Sequence, residues 1–331
     1  MTTRIVRAID PGTANLKLAW RNAAGGIETA RMRNCFLSIT PDDFTRKMLT
    51  TLNVAQFETE SGVVIAGDPA HELAATFGKT TRRPMHQGVI SPGEADAIPM
   101  IGKMVERLLK VAGPVEGNEK PLAIYSIPAS PVDMPFDIVF HKSIIEGVLG
   151  NCGYEARPIT EGHAVVLSEL GDEQFTGIGI SLGGGMVNAC VAYRSVPVIT
   201  FSTTRAGDYI DIRASQATGE VPPRIATIKE KMDLGNPKDR YEFAIQAYYR
   251  DVLTYAMQQI AKRFSEGRDM PKFQSPVTIV ASGGTAAVTG FVDLFRKTFE
   301  EMNFPIPIKE VRVAKDPIFA VVRGALVYGS L

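Results

Sequence analysis

Two segments of the chain could hold a polyphosphate: AIDPGTANLKLAW (8–20) and GISLGGGMVNACVAY (179–193). Each runs as an apolar strand, a polar residue at its end, a glycine-containing turn and a second apolar strand. Asp10 corresponds to Ser181 and Gly12 to Gly183. Glycine in such a turn lets backbone N–H groups approach an anion closely and face it. One turn of this kind is as readily a plain tight β-turn. Two of them, 171 residues apart in a chain of 331, favour a duplicated architecture with turns facing each other across a cleft. A third glycine pair, Ser282-Gly283-Gly284-Thr285, follows the buried-strand pattern VTIVA (277–281) and precedes a helical stretch. Unpaired N–H groups at a helix start would suit a nucleotide's base or phosphates there, and an ordinary strand-to-helix turn reads equally well.

Other reactive residue types point elsewhere. His71, His86, His141 and His163 have no metal-ligand spacing and read as packing or surface residues. Cys35, Cys152 and Cys190 are odd in number and far apart, which argues against a disulfide framework and a structural zinc site and fits a reducing cytoplasm. The Arg82-Arg83 pair reads as solvated, or as facing an acidic surface on a neighbouring subunit.

The elements that must position these residues belong to a chain long enough for two domains, with 45% hydrophobic and 22% charged residues. Its 36 basic and 36 acidic residues cancel, so no global field attracts nucleic acid or anionic lipid. No apolar run approaches the roughly 18 residues of a membrane span. The expectation is a cytoplasmic protein with no direct nucleic-acid binding and no direct membrane insertion. Apolar runs bounded by turn residues predict strands over 4–10, 15–20, 62–66, 122–127, 177–181, 187–193, 197–203, 277–281 and 307–313. Helices are expected over 98–112, 135–149, 162–170, 207–218, 222–233 and 240–265, after Ser282-Gly283-Gly284, and from 317 to the end. In the first of these Ile98, Ile101, Val105, Leu108, Leu109 and Ala112 keep helical spacing, with Met100 and Met104 as core or groove filler. Mixed β and α order of this kind predicts α/β layers with helices covering largely parallel sheets.

Taken in order along nearly the whole chain, these motifs resemble the actin-like ATPase superfamily, in particular bacterial actin-like filament proteins of the MreB and MamK type. The resemblance implies a two-lobed fold of duplicated RNase H-like domains with a nucleotide cleft between the lobes. Domain I would be 1–165, with a small inserted subdomain at about 31–96, completed by a C-terminal helix at about 315–331. Domain II would be 166–314, with a helical subdomain at about 205–265. IDPGTANLK looks like the first phosphate loop, which nominates Asp10, Gly12, Thr13, Ala14, Asn15 and Lys17, with Asp10 holding Mg²⁺ through water and Lys17 touching phosphate. ISLGGGMVNACV looks like the second, with Ser181, Gly183, Gly184 and Gly185. AGDYIDIRAS (206–215) resembles the turn and helix that follow it, which adds Gly207 and Asp208. IKEKM (228–232) resembles the segment facing adenosine, through Lys229 and Glu230, and SGGT resembles the adenosine loop, through Gly283, Gly284 and Thr285. Glu161, in ITEGHAVV, stands where the superfamily places its water-positioning residue; the plainer reading is a helix N-terminal acid stabilised by the macrodipole.

The departures lie in the second loop. Ser181 replaces the usual aspartate, Met186 and Val187 replace threonines, and Asn188 stands where an acid is common. A hydroxyl holds the hydration shell of Mg²⁺ less strongly than a carboxylate. On that ground Ser181→Asp is expected to raise turnover. The implied function is a cytoskeletal protein that binds ATP or ADP with Mg²⁺, polymerises head to tail into paired protofilaments, hydrolyses ATP slowly and reaches cargo through an adaptor. The alternatives are a nucleotide-binding adaptor with little turnover and a small-molecule kinase of the same superfold.

Overall fold

In the computed structural model, which describes residues 4–331 other than 53, 55, 60–61, 116–118, 136–137 and 268–272, the chain builds two five-stranded mixed sheets. The first hairpin joins β1 (Val6–Pro11) to β2 (Asn15–Arg21), and β3 (Ile27–Arg33) extends it antiparallel. The sequence reading began the inserted segment at about 31, yet Met32 pairs with Leu16 and Ala30 with Leu18, so β3 belongs to the first sheet. Its IETARMR pattern hides it, because the inward positions carry small or flexible residues instead of β-branched ones.

Beyond β3, the chain forms β4 (Phe36–Ile39), α1 (Asp43–Thr51), β5 (Gln56–Thr59), β6 (Gly62–Ala66) and α2 (Asp68–Ala74). Their three-stranded sheet closes its own small core with Leu37, Ile39, Leu49, Val63, Ile65 and Ala70. Asp42 caps α1 by accepting from the Thr45 N–H at 2.8 Å. A short hairpin, β7 (Met85–His86) with β8 (Val89–Ile90), leads to α3 (Ala97–Val111). Met100, Ile101, Met104, Val105 and Leu108 form the buried stripe of α3; Ile98 was expected there but lies at its edge, 43% exposed. The buried Arg7 guanidinium ties down the end of α3 by donating to the carbonyls of Leu109, Ala112 and Gly113 at 2.8, 3.0 and 2.8 Å. A cation there satisfies orphan carbonyls and complements the helix dipole.

The interior strand β9 (Leu122–Ile127) runs parallel to β1 on one side and to β10 (Glu155–Thr160) on the other, with α4 (Val139–Asn151) between β9 and β10 in sequence. The helix expected over 135–149 therefore starts at Val139, and positions 136–137 lie outside the described residues. After α5 (Glu161–Glu169), β11 (Gly177–Leu182), β12 (Val187–Tyr193) and β13 (Val196–Thr203) repeat the antiparallel trio of the first lobe. The helices α6 (Gly207–Thr218), α7 (Pro222–Lys231) and α8 (Arg240–Glu266) follow. β14 (Val277–Ser282) runs parallel to β11 and ends in a single 3₁₀ turn, Gly284–Ala287, where the sequence suggested a helix. α9 (Phe291–Glu300), β15 (Ile308–Val313) and α10 (Ala320–Tyr328) complete the chain; α10 starts later than 317 because Asp316–Phe319 forms a turn.

The strand orders β10-β9-β1-β2-β3 and β15-β14-β11-β12-β13 are the same topology twice. α10 lies on β1, β2 and β9, α5 lies on β11 and β12, and the two helices pack on each other. Glycine permits that closeness: a Cβ on Gly162 would stand 2.7 Å from the Ala189–Cys190 backbone, and one on Gly324 would meet the Ala164 carbonyl. Among the described residues no helix is long and apolar enough to cross a membrane.

Candidate functional site

The two glycine turns have the same construction. The Gly12 N–H donates to the Asn15 carbonyl at 3.1 Å, and the Gly183 N–H donates to the Met186 carbonyl at 2.9 Å. Each closes a four-residue turn at the tip of a hairpin whose strands are fixed by their sheets. The turns meet across the lobes: a Cβ on Gly184 would lie 3.3 Å from that of Ala14, and one on Gly185 would strike Thr13 Oγ1 and the Gly88 N–H. Among the described residues, the N–H groups of Thr13, Ala14, Gly184 and Gly185 make no hydrogen bond. Four unengaged donors on two turns in contact, one turn from each lobe, could hold an anion.

The third glycine pair is locked to the second turn. Thr285 Oγ1 and the Gly207 N–H both donate to the Gly183 carbonyl at 3.0 Å, and the Asp208 N–H donates to the Gly184 carbonyl at 2.7 Å. Gly283 has φ +97°, and a Cβ there would collide with Leu182. Lobe I reaches this assembly through Arg83, whose Nη1 donates to Asp208 at 3.1 Å, and through the β7–β8 turn, where the Gly88 N–H donates to Thr13 Oγ1 at 2.9 Å. The two arginines read from sequence as solvated are thus paired. Arg82 holds Glu94 and Asp96, and Arg83 spans the lobes to Asp208.

Beneath the turns lie two carboxylates. Asp10, paired in register with Lys17 across β1 and β2, accepts from Lys17 Nζ at 2.7 Å and from Ser126 Oγ at 2.6 Å. Glu161 opens α5 and accepts from Ser181 Oγ at 2.7 Å. Burial, and then the Asp10 charge, push the Glu161 carboxyl up to about 7 from its ordinary 4.5. The Ser181 hydroxyl, the Lys17 charge and the nearby Asn188 amide oppose that rise. Asn188 Oδ1 accepts from the Ala129 N–H at 2.9 Å, and its buried Nδ2 has no partner in hydrogen-bond geometry. Sequence reasoning missed Ser126; its one signal was a lone hydroxyl near the end of the apolar run LAIYSI.

The pair nominated for adenosine divides. Lys229 is buried, donating to Asp211 Oδ2 at 2.7 Å and to the Gly207 carbonyl at 2.8 Å, so it braces the first turn of α6. Glu230, the next residue, faces solvent. Burial pushes the Asp211 carboxyl up to about 6 against the opposing Lys229 charge.

No group of three His, Cys, Asp or Glu among the described residues could hold a metal by itself. A hydrated Mg²⁺ bound beside phosphates needs only one or two carboxylates, and Asp10 below four free N–H donors fits that requirement.

The family model described as Volactin matches residues 5–328. A search of curated protein sequences finds no match. Among solved structures, a MamK double helical filament is 18% identical, with 99% of each chain covered and a TM-score of 0.75. MreB 5 of Spiroplasma citri bound to AMPPNP is 13% identical, with 100% of this chain and 97% of the other covered and a TM-score of 0.70. The ethanolamine utilization protein EutJ from Carboxydothermus hydrogenoformans is 16% identical, with 98% and 89% covered and a TM-score of 0.58. At these identities the likeness establishes the fold, which is the two-lobed actin-like one.

Proposed function

Since this chain belongs to the Volactin family and carries the two-lobed actin-like fold, we propose that it binds ATP with Mg²⁺ between its lobes, polymerises head to tail, and hydrolyses the nucleotide slowly. The observation that carries this reading is the contact between two glycine turns, one from each lobe, that together carry four unengaged N–H donors, from Thr13, Ala14, Gly184 and Gly185, at the strand ends that bear Asp10 and Ser181, the partner of Glu161. These donors hold the phosphates, and Gly207, Asp208 and Gly283 to Thr285 line the path toward the adenosine. Asp10 holds the hydration shell of Mg²⁺, which when bound offsets phosphate charge. Lys17, paired with Asp10, exchanges that partner for phosphate when nucleotide binds. Glu161, with its carboxyl near 7, is suited to orient a water and accept its proton.

Polymerisation by a repeated heterologous contact gives an open filament, as in the MamK double helical filament whose fold this chain shares. Nucleotide controls assembly only through different affinities of the two lobe arrangements. Three free cysteines fit a cytoplasmic location, and an adaptor would supply the link to cargo. Ser181 in place of a carboxylate favours a second reading, a nucleotide-binding adaptor with little turnover. Electron microscopy of the purified chain with ATP, ADP or no nucleotide, alongside phosphate release, separates them. Nucleotide-dependent filaments with release support the first reading. Binding without filaments or release supports the second, and no thermal shift at millimolar Mg-ATP removes both.

A further inference from the structure

The hydroxyl that stands where the resemblance expects a metal-side carboxylate is already engaged: Ser181 Oγ donates to Glu161 Oε2 at 2.7 Å. Resting on the hydrolysis reading above, we propose that Ser181 is a positioning residue that fixes the direction in which Glu161 faces the attacking water. The main chain of Glu161, at the start of α5, is seated by its neighbour Gly162, where a Cβ would stand 2.7 Å from the Ala189–Cys190 backbone. The Ser181 hydroxyl restrains its side-chain torsions from a site that is 3% exposed. Of the residues in register with Ser181, Ser282 is committed elsewhere, its Oγ donating to the Pro317 carbonyl at 3.0 Å, while Asn188 gives its Oδ1 to the Ala129 N–H and keeps its amide beside Glu161 with no partner in hydrogen-bond geometry, so the Ser181 hydroxyl is the formed hydrogen bond to the carboxyl.

Lobe I holds its carboxylate by a comparable contact from a different strand: Ser126 Oγ on β9 donates to Asp10 Oδ1 at 2.6 Å, so each carboxylate below the turns accepts from one serine of an interior strand. A hydroxyl carries a single proton, and that of Ser181 is spent on Glu161, which leaves it none to donate to a phosphate oxygen. The same contact reverses the expectation drawn from resemblance for Ser181→Asp. A carboxylate at 181 would oppose Glu161 at hydrogen-bond distance, turn it away and slow turnover.

The test compares steady-state phosphate release and Mg-ATP affinity for the full chain, Ser181→Ala, Ser181→Thr, Glu161→Gln and the Ser181→Ala/Glu161→Gln double variant. Ser181→Ala is expected to lower kcat by about 10- to 100-fold, as misplacement of a catalytic group does, with KM nearly unchanged. Ser181→Thr, which keeps the hydroxyl, restores most of the rate, and the double variant is no slower than Glu161→Gln. In the nucleotide-free protein the stability changes of the two single variants are non-additive, as for groups in contact. A retained thermal shift with Mg-ATP shows that each variant is folded. A raised KM with normal kcat, or losses that multiply in the double variant, overturns the inference by making Ser181 a nucleotide- or metal-side group. An unchanged rate in Ser181→Ala overturns this inference alone, whereas no phosphate release from the unaltered chain overturns it together with the hydrolysis reading.

Discussion

Lys229→Met separates a bracing role from a nucleotide-contacting one, because the two predict different behaviour in the absence of nucleotide. Both partners of the Lys229–Asp211 pair are about nine-tenths buried, and Lys229 also holds the Gly207 carbonyl. In the wild type, raising the Asp211 carboxyl from its ordinary 3.8 to about 6 makes folding less favourable by about 3 kcal/mol at neutral pH. Without the lysine, Asp211 escapes by keeping its proton, which at pH 7 costs about 4 kcal/mol relative to the ionised unfolded chain. The difference is roughly 1.4 kcal/mol, and loss of the charged hydrogen bond to Gly207 adds roughly 1.5 kcal/mol. The variant is therefore less stable by about 3 kcal/mol at pH 7. Because an acid with a raised folded-state pKa loses its stabilising contribution as pH rises, the deficit shrinks to about 1.5 kcal/mol at pH 5 and grows to about 4 kcal/mol at pH 8. Urea unfolding of nucleotide-free protein at the three pH values measures it. An unfolding entropy of about 0.7 kcal/mol/K for a chain of this length makes the pH 7 change about 4 °C in Tm. A deficit that is absent at pH 8, or equal at all three values, would refute the bracing role and return Lys229 to the nucleotide.

Four further outcomes follow from the cleft. Glu161 has the same sign as Asp211, so wild-type stability falls by about 3 kcal/mol as pH rises from 4.5 through about 7; Glu161→Gln flattens that slope, and a parallel pH profile in the variant counts against it. Glu161→Ala lowers phosphate release by about one to three orders of magnitude while ATP affinity is kept, and an unchanged rate removes its catalytic assignment. Gly185→Val, whose Cβ would strike Thr13 and Gly88, abolishes the thermal shift with Mg-ATP, so a wild-type shift would show that the turns are not the binding loops. Arg83→Ala breaks a partly exposed pair and lowers nucleotide-free stability by no more than about 1 kcal/mol, with the difference vanishing in high salt; a loss of several kcal/mol in urea unfolding contradicts the exposure of that contact.

What was legible in the sequence was local. The hairpins at 8–20 and 179–193 are visible because apolar alternation and glycine turns are short-range signals, and both turns have matching hydrogen bonds. β3 was hidden by its alternation of charged residues with alanine and methionine, and α1 and α2 by their shortness and polar composition. The side-chain partnerships of the site were not legible from local pattern at all. Arg83 finds Asp208 across 125 residues, Asp10 finds Ser126 across 116, and Lys229 finds Asp211 on a different helix. Such pairs are set by which strand ends the topology brings together, and no periodicity encodes that. Resemblance to a superfamily nominated Lys229 by its place in a motif, whereas packing shows it holding α6.

The glycine contacts of α5 and α10 make a stiff joint. Gly162 seats α5 directly on the β12 backbone and Gly324 seats α10 directly on the α5 backbone, so no side chain lies between them to yield. Interiors packed this closely transmit strain instead of absorbing it. Since α5 lies on the sheet of one lobe and α10 on the sheet of the other, a displacement imposed at the glycine turns would pass through this joint to the opposite lobe instead of dying out between them.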